Sequence, residues 1–89
     1  MLEYGSGENL YWDPVHDEVR FSVDQGAQKL LIRIAPDALR ELCGAAPNAD
    51  AYVGAARRNF SHITHRISDK LSLGLTEADG SVLIRKTDW

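Results

Sequence analysis

The feature that most constrains the fold is a long stretch of helical periodicity in the second half of the chain. Between residues 50 and 72, apolar side chains recur at intervals of three and four, which places them along one side of an α-helix. These apolar positions are Tyr52, Val53, Ala56, Phe60, Ile63, Ile67 and Leu71. A continuous helix of that length is roughly 33 Å long, whereas a strand of about seven residues spans only about 23 Å. We therefore expect a long helix that overhangs a smaller sheet at one end.

The first half of the chain alternates in the manner of a β-hairpin. Apolar and polar residues alternate over residues 18–24, which is typical of a strand that buries one face. Asp24-Gln25-Gly26 is a turn signal, and alternation resumes over residues 27–35. Because the connection is short, the sequence predicts that the two strands pair antiparallel.

A short helix and a third strand complete the predicted elements. Pro36 suits the first position of a helix, and Asp37 places a carboxylate beside the positive end of the helix dipole. Gly44 is suited to the left-handed conformation that ends a helix, so this helix has about two turns. Gly74 is the expected end of the long helix, and residues 81–86 alternate again as a strand.

The expected fold class is therefore α+β, with a small antiparallel sheet of three strands. The short and the long helix lie on one face of this sheet, in the order β-β-α-α-β. A variant in which residues 71–75 and 81–85 pair as a second hairpin stays open at this point.

The 89 residues are too few for two domains with a cleft between them. Residues 1–9 are expected to form a flexible leader, since they contain glycine and serine without periodicity. Residues 10–89 are expected to form a single domain. At its start, Leu10, Tyr11 and Trp12 are interpreted as an apolar plug that packs on the edge of the core.

The net charge of the chain excludes some classes of partner, and the distribution of its cations indicates where a charged partner would bind. Ten Lys and Arg against thirteen Asp and Glu give a net charge of −3. This small negative charge excludes a polycation that coats nucleic acid. The cations are concentrated late in the chain: residues 51–89 have six cations and four carboxylates, whereas residues 1–50 have four and nine. The basic excess is concentrated in the predicted long helix, on a side that is expected to face water, at Arg57, Arg58, Arg66 and Lys70.

The single cysteine, Cys43, cannot form a disulfide within the chain, which fits a reducing compartment. No apolar run approaches the 18 residues that a membrane span requires, and no signal peptide pattern begins the chain. We expect a cytoplasmic protein that does not act at a membrane.

Several motifs together resemble a known bacterial family. They are an aromatic residue near an Asp before a Val-x-Phe strand (residues 19–21), Ile-Ala-Pro-Asp-Ala-Leu at residues 34–39, Arg58-Asn59-Phe60, and a closing Ile-Arg-Lys-Thr-Asp-Trp at residues 84–89. From Leu10 to Trp89, the chain resembles the family called domain of unknown function 1488. The resemblance implies a small α+β fold and a bacterial cytosolic protein, and it implies no activity.

Two groups of side chains form the candidate binding surface. One is the basic face of the long helix and the other is the pair of tryptophans, which are costly to expose and frequent at interface hot spots. The residues are Arg58, His62, His65, Arg66, Trp12 and Trp89.

The spacing of His62, His65 and Asp69 also suits a metal site. A site of this kind needs a further ligand, and Cys43 is predicted on the apolar face of another helix. Neighbouring arginines disfavour a dication. We expect no metal, no other cofactor, no small-molecule substrate and no enzymatic activity, because the serines lack an activating motif and Cys43 suits a core position.

The function that this pattern favours is that of a small bacterial accessory protein acting by protein binding or self-association. Its partner is another protein or a second copy of the chain, and its biochemical role is unknown. The alternative is a weak nucleic-acid-binding accessory module that uses the basic face of the long helix. The sequence has no glycine-rich phosphate loop and no interleaved surface aromatics to support that alternative.

Overall fold

The computed structural model describes residues 7–89. Their elements, in chain order, are β1 (Tyr11–Asp13), β2 (Glu18–Gln25), β3 (Gln28–Ile34), α1 (Pro36–Cys43), α2 (Ala49–Arg58), α3 (Phe60–Ser72), β4 (Val82–Ile84) and a 3-10 turn (Lys86–Asp88). The class is α+β, as predicted. The prediction of three strands and two helices is wrong, because a further strand precedes the hairpin and the long helix is divided.

The sheet has four strands in the order β1-β2-β3-β4. The pairs β1–β2 and β2–β3 are antiparallel, whereas β3 and β4 are parallel. The prediction of an antiparallel sheet is therefore wrong for β4. The three helices connect β3 to β4, and a connection that crosses over a sheet returns the chain in its original direction.

The predicted hairpin is confirmed in β2 and β3, which pair from Val19 opposite Ile34 to Gln25 opposite Gln28. Gly26 adopts a φ of 63° in the connecting turn, a conformation that costs glycine little. The segment interpreted as a plug is β1, in which Trp12 lies opposite Val19. Three residues are too few to show alternation, and the following Pro14 suits an edge strand.

The short helix is confirmed as α1. Pro36 is in its first turn together with Asp37, and Gly44 follows its end with a φ of 70°. The backbone N–H of Gly44 donates to the carbonyl of Leu39. The start of α1 differs from that of α2, because Ala35 provides no side-chain cap.

The prediction of a continuous long helix is wrong, because Asn59 separates the end of α2 from the start of α3. Its φ of −108° and ψ of 21° are not helical, and its side-chain amide donates to the carbonyl of Ala55 over 2.9 Å. The backbone N–H of Asn59 donates to the same carbonyl. Asparagine side chains compete for backbone groups in this way and bend helices. The segments of 10 and 13 residues are therefore about 15 Å and 20 Å long, which removes the expected overhang.

The core lies between the helices and one face of the sheet. Phe21 on β2 and Phe60 at the start of α3 meet with ring centroids 5.2 Å apart. The largest fully buried side chains are Phe21, Ile32, Ile34, Leu39, Ile63, Ile67, Ile84, Val19, Val23 and Val82. The opposite face of the sheet carries the alternate residues of β2 and β3, which are polar or partly exposed.

Two other expectations concern the ends of these elements. The variant with a second hairpin over residues 71–75 is wrong, because α3 continues through Ser72 and a turn follows it. Residues 1–6 of the expected leader lie outside the described residues. Its remaining residues form a turn in which the Asn9 amide donates to the carbonyl of Ser22 over 2.9 Å, while Gly7 is buried beside Phe60.

Candidate functional site

The chain folds back at its last described residues so that Trp89 meets the first turns of α3. The His62 and Trp89 rings lie 4.7 Å apart between centroids and are inclined by 44°. The backbone oxygen of Trp89 lies 2.7 Å from His62 Nε2 and 2.9 Å from Arg66 Nε. Because this oxygen only accepts, His62 Nε2 carries a proton in this contact. Both side chains therefore fix the position of Trp89.

The 3-10 turn that presents Trp89 is held by ion pairs to two helices. Lys70 Nζ of α3 lies 2.9 Å from the Asp88 carboxylate, and Lys86 lies 3.0 Å from Glu41 of α1. Burial opposes ionisation of Asp88, but hydrogen bonds from the backbone N–H of Arg85 and from Lys70 outweigh it, so the pKa of Asp88 is lowered. The ionised carboxylate stabilises the turn.

We call the resulting region the Trp89 surface, formed by Arg58, His62, His65, Arg66 and Trp89. Arg58 and His65 are exposed, whereas the other three are half-buried. The Trp89 side chain packs on the edge of the core and keeps part of its indole at the surface. Five of the six residues predicted from the sequence thus belong to α2, α3 and the chain segment packed on α3.

Trp12 is separate from the contacts that define the Trp89 surface. Its ring stacks on Tyr52 of α2, with centroids 5.3 Å apart and planes inclined by 23°. The hydroxyl of Tyr52 accepts a hydrogen bond from Arg40 over 3.3 Å. This stacking closes the core at the β1 edge of the sheet.

Lys70 was expected among the basic residues that face water, and this expectation is wrong. The Lys70 side chain is 9% exposed and donates to the Leu83 carbonyl over 2.7 Å as well as to Asp88. A signal for this burial exists in the sequence, because Lys70 follows Phe60, Ile63 and Ile67 at helical spacing. Its charged end reaches the exposed edge of the sheet while its stem covers the core.

A second polar cluster, which the sequence reasoning missed, lies on the outer face of the sheet. Glu18 accepts from Arg20 Nε over 2.6 Å and from Arg33 Nε over 2.7 Å, and its side chain is only 6% exposed. Arg20 also lies 3.2 Å from Asp13. Burial opposes ionisation of Glu18, but the hydrogen bonds and charges of both arginines outweigh it, so the pKa of Glu18 is lowered.

This outer network is largely neutral within itself. Two carboxylates, Asp13 and Glu18, face two guanidinium groups, and Arg33 also contacts the hydroxyl of Ser81 over 3.5 Å. Register places Arg20 directly opposite Arg33. The alternation of residues 18–24 predicted which face of the sheet these side chains occupy. It did not predict which side chains form ion pairs, because that depends on strand register.

The residues suspected of binding a metal are engaged elsewhere. His62 contacts Trp89, and Asp69 accepts from Arg66 over 3.0 Å. Across residues 7–89, no three His, Cys, Asp or Glu side chains are arranged to hold a metal ion, and no surface pocket is present. No helix in this part of the chain is both long and apolar enough to span a bilayer.

Cys43 lies half-buried at the end of α1 and packs on the core. Burial raises the pKa of its thiol, and the charge of Arg58 opposes that rise only in part. The raised pKa disfavours the thiolate, which is the nucleophilic form. Because the charge of Arg58 acts on the pKa of Cys43, the Arg58 guanidinium lies close enough to the end of α1 to interact with it electrostatically.

No protein-family model matches the chain, and no curated protein sequence matches it. Among solved structures, it is similar to a protein of unknown function from the domain of unknown function 1488 family of Shewanella loihica PV-4. The two share 15% sequence identity, the match covers 86% of each chain, and the TM-score is 0.78. The family resemblance inferred from the sequence is thereby confirmed as a shared fold.

Proposed function

We propose that the protein acts as a binding accessory and that the Trp89 surface is where it contacts another protein. The observation that carries the proposal is the way Trp89 is held: its partly exposed indole packs against the His62 ring, and its backbone oxygen contacts both His62 and Arg66. Tryptophan and arginine are the residues that most often dominate binding energy at protein interfaces. A side chain already fixed in place loses little conformational entropy on binding.

The outer face of the sheet is a weaker candidate for the same role. Its arginines already pair with Glu18, so a partner would have to compete with those contacts. Arg58, in contrast, has no carboxylate within ion-pair distance among residues 7–89. A new ion pair at Arg58 therefore replaces water rather than an existing protein contact.

A photo-crosslinking amino acid at His65 tests this location, since His65 is exposed and belongs to the Trp89 surface. The matched control carries the same amino acid at Ser22, an exposed position on the outer face of the sheet. We expect a discrete protein adduct from His65 and none from Ser22. Equal adducts from both positions, or none from His65, would contradict the proposal.

Self-association is one form of this proposal, in which the partner is a second copy. Size-exclusion chromatography with light scattering distinguishes the two forms. A dimer that becomes monomeric in Trp89→Ala, but not in Trp12→Phe, identifies the second copy as the partner. A strict monomer that still forms the His65 adduct with another protein identifies a different partner.

A weak nucleic-acid-binding role is the second candidate, and one observation favours it. Arg40, Arg57 and Arg58 lie on α1 and α2 without carboxylate partners in the described chain. Phosphate contacts by such residues would give an affinity that falls steeply with salt. Fluorescence anisotropy with single- and double-stranded oligonucleotides at low salt tests this role, and unchanged anisotropy would remove it.

We propose no catalytic role for the chain. This part of the proposal is supported by the raised pKa of Cys43, because nucleophilic cysteines have a lowered pKa. Reaction of the folded protein with a thiol reagent near neutral pH tests it. Cys43 should react more slowly than the cysteine of a short unfolded peptide, and faster reaction would contradict this assignment.

A further inference from the structure

The distribution of ion pairs indicates which chemistry the Trp89 surface would recognise. All ten Lys and Arg residues lie among the described residues, and seven of them pair with a carboxylate there. The three that do not are Arg40, Arg57 and Arg58. Arg57 and Arg58 are consecutive and end α2, directly before the bend at Asn59. Within the described part of the chain, two of the three cations without a carboxylate partner therefore lie at the end of α2, and one of them, Arg58, belongs to the Trp89 surface.

Among residues 7–89, no carboxylate lies within ion-pair distance of Arg57 or Arg58. The sequence has no Asp or Glu between Ala51 and Ser68. Asp50 precedes Arg58 by eight residues and forms no ion pair with it, while the Arg58 guanidinium lies back along α2 beside Gly54. Asp69 pairs with Arg66.

Two carboxylates of adjacent elements are engaged by other cations. Glu41 on α1 pairs with Lys86, and Asp88 in the 3-10 turn pairs with Lys70. Neither is available to Arg58 without breaking an existing ion pair. Arg58 therefore carries a positive charge that no ion pair among residues 7–89 neutralises.

The partial charges at the helix ends do not neutralise the positive charge of Arg57 and Arg58 either. The carboxyl end of α2 is partially negative and favours Arg57 and Arg58. The amino end of α3 follows directly with partial positive charge, and the first turn of α3 contains no acidic residue. The two opposite helix ends meet at Asn59 and largely offset each other.

We infer that the partner of the Trp89 surface presents an acidic protein segment, with carboxylates toward Arg58 and an apolar side chain over the Trp89 indole. This inference rests on the proposed function. Charge complementarity selects an acidic partner, and the exposed part of Trp89 supplies an apolar contact.

A nucleic acid fits the same surface less well. The Trp89 ring is inclined against His62 and packs on the core, so it offers no open face for successive bases to stack on. The chain as a whole has a net charge of −3, which repels a long polyanion. A short acidic segment contacts Arg58 and does not extend to the negatively charged parts of the chain.

The experiment extends the crosslinking at His65 by sequencing the captured partner peptide. The segment should contain more Asp and Glu than Lys and Arg. Its yield should fall about tenfold or more in Arg58→Glu, as expected for loss of roughly 1.4 kcal/mol of binding energy, and persist in Arg58→Lys. Lys29→Glu is the matched control, because it makes the same charge change at an exposed hairpin position, and its yield should be unchanged.

The outcomes separate this inference from the proposed function. A neutral or basic captured segment, or an undiminished yield in a folded Arg58→Glu variant, would overturn the acidic partner while leaving protein binding in place. A crosslink to nucleic acid would assign the surface to that partner instead. Absence of any adduct at His65 would overturn both. Circular dichroism of each variant establishes that it is folded.

Discussion

At the scale of single residues, Glu18 and Lys70 are the buried charged residues of the part of the chain that the structure describes. A buried charge is tolerated only where other groups replace the water that it loses. Glu18 obtains this replacement from two guanidinium groups, and Lys70 from a carboxylate and a carbonyl oxygen. Each side chain therefore joins two elements, the hairpin strands β2 and β3 in one case and α3 and β4 in the other.

Removal of the Glu18 charge should destabilise the fold. Glu18→Gln retains the shape of the side chain but leaves Arg33 without a carboxylate partner and Arg20 with Asp13 alone, and we expect the free energy of unfolding to fall by about 2 kcal/mol. Urea denaturation followed by circular dichroism measures this change.

The matched control for Glu18 is Asp24→Asn. This variant removes the carboxylate of an exposed ion pair on the same sheet, in which the Asp24 and Lys29 side chains are 60% and 74% exposed. Its effect should stay below about 0.5 kcal/mol. Equal losses in the two variants would show that the outer network does not stabilise the sheet.

At the scale of elements, β4 is an edge strand whose free side is occupied. The carbonyl of Ile84 accepts from Ala35 beside β3, so the Leu83 backbone points to the open edge. There the carbonyl of Leu83 accepts from Lys70, and the carbonyl of Ser81 accepts from the N–H of Glu77. An edge covered in this way is protected from pairing with another chain.

Replacement of Lys70 should both weaken the fold and open this edge. Lys70→Met keeps the apolar stem but removes the side-chain donor of the Leu83 carbonyl and the cation that pairs with Asp88, and we expect a loss of about 2 kcal/mol in the free energy of unfolding. Lys29→Met, at a 74% exposed position, should change it by less than about 0.5 kcal/mol. Light scattering should detect more aggregation for Lys70→Met alone. Indistinguishable variants would refute this role for Lys70.

The residues that precede α1 and α2 lead to two predictions of opposite sign for the stability of the fold. Asn48 caps α2 by accepting from the N–H of Ala51 over 2.8 Å, whereas Ala35 before α1 has the extended conformation of a cap without its side-chain bond. Asn48→Ala should cost about 1 kcal/mol, and Ala35→Ser should add about 0.5 to 1 kcal/mol. Thermal unfolding of both variants measures these shifts. Destabilisation by Ala35→Ser would show that Ala35 is needed for packing instead.

The elements that the sequence predicted correctly are those specified by neighbouring residues. The hairpin follows from alternation around Gly26, and α1 follows from Pro36 and Gly44. The direction of β4 and the pairing of Glu18 depend on contacts distant in sequence, which periodicity does not contain. Asn59 lies between locally consistent helical turns, so its bend was hidden by an apolar pattern that continues through both segments.

The candidate site was predicted in part for the same reason. Helical spacing placed His62, His65 and Arg66 on α3, and their chemistry pointed to a surface. The contact of His62 and Arg66 with Trp89 joins residues more than 20 apart in sequence, and only the folded chain brings them together. Trp12 was grouped with Trp89 by residue type alone, although its ring belongs to the Tyr52 stack.

At the scale of the whole molecule, stability should decrease in acid. The pKa values of Glu18 and Asp88 are lowered from their ordinary values of 4.5 and 3.8. The unfolded chain therefore binds more protons in acid than the folded chain, so their contribution is complete above about pH 5 and is lost as the pH falls through the lowered values. Urea denaturation at a series of pH values should show this loss, with a smaller one in Glu18→Gln. An identical loss in that variant would exclude Glu18 as its source.

The central claim is that the protein binds through the Trp89 surface and not through Trp12, which stacks on Tyr52. The chain has two tryptophans, so the indole N–H region of a nitrogen-edited NMR spectrum reports separately on Trp12 and Trp89, and a Trp12→Phe variant assigns the signals. During titration with the partner segment recovered by crosslinking at His65, the Trp89 signal should move while that of Trp12 stays in place. Movement of the Trp12 signal alone, or of neither signal, would contradict the claim.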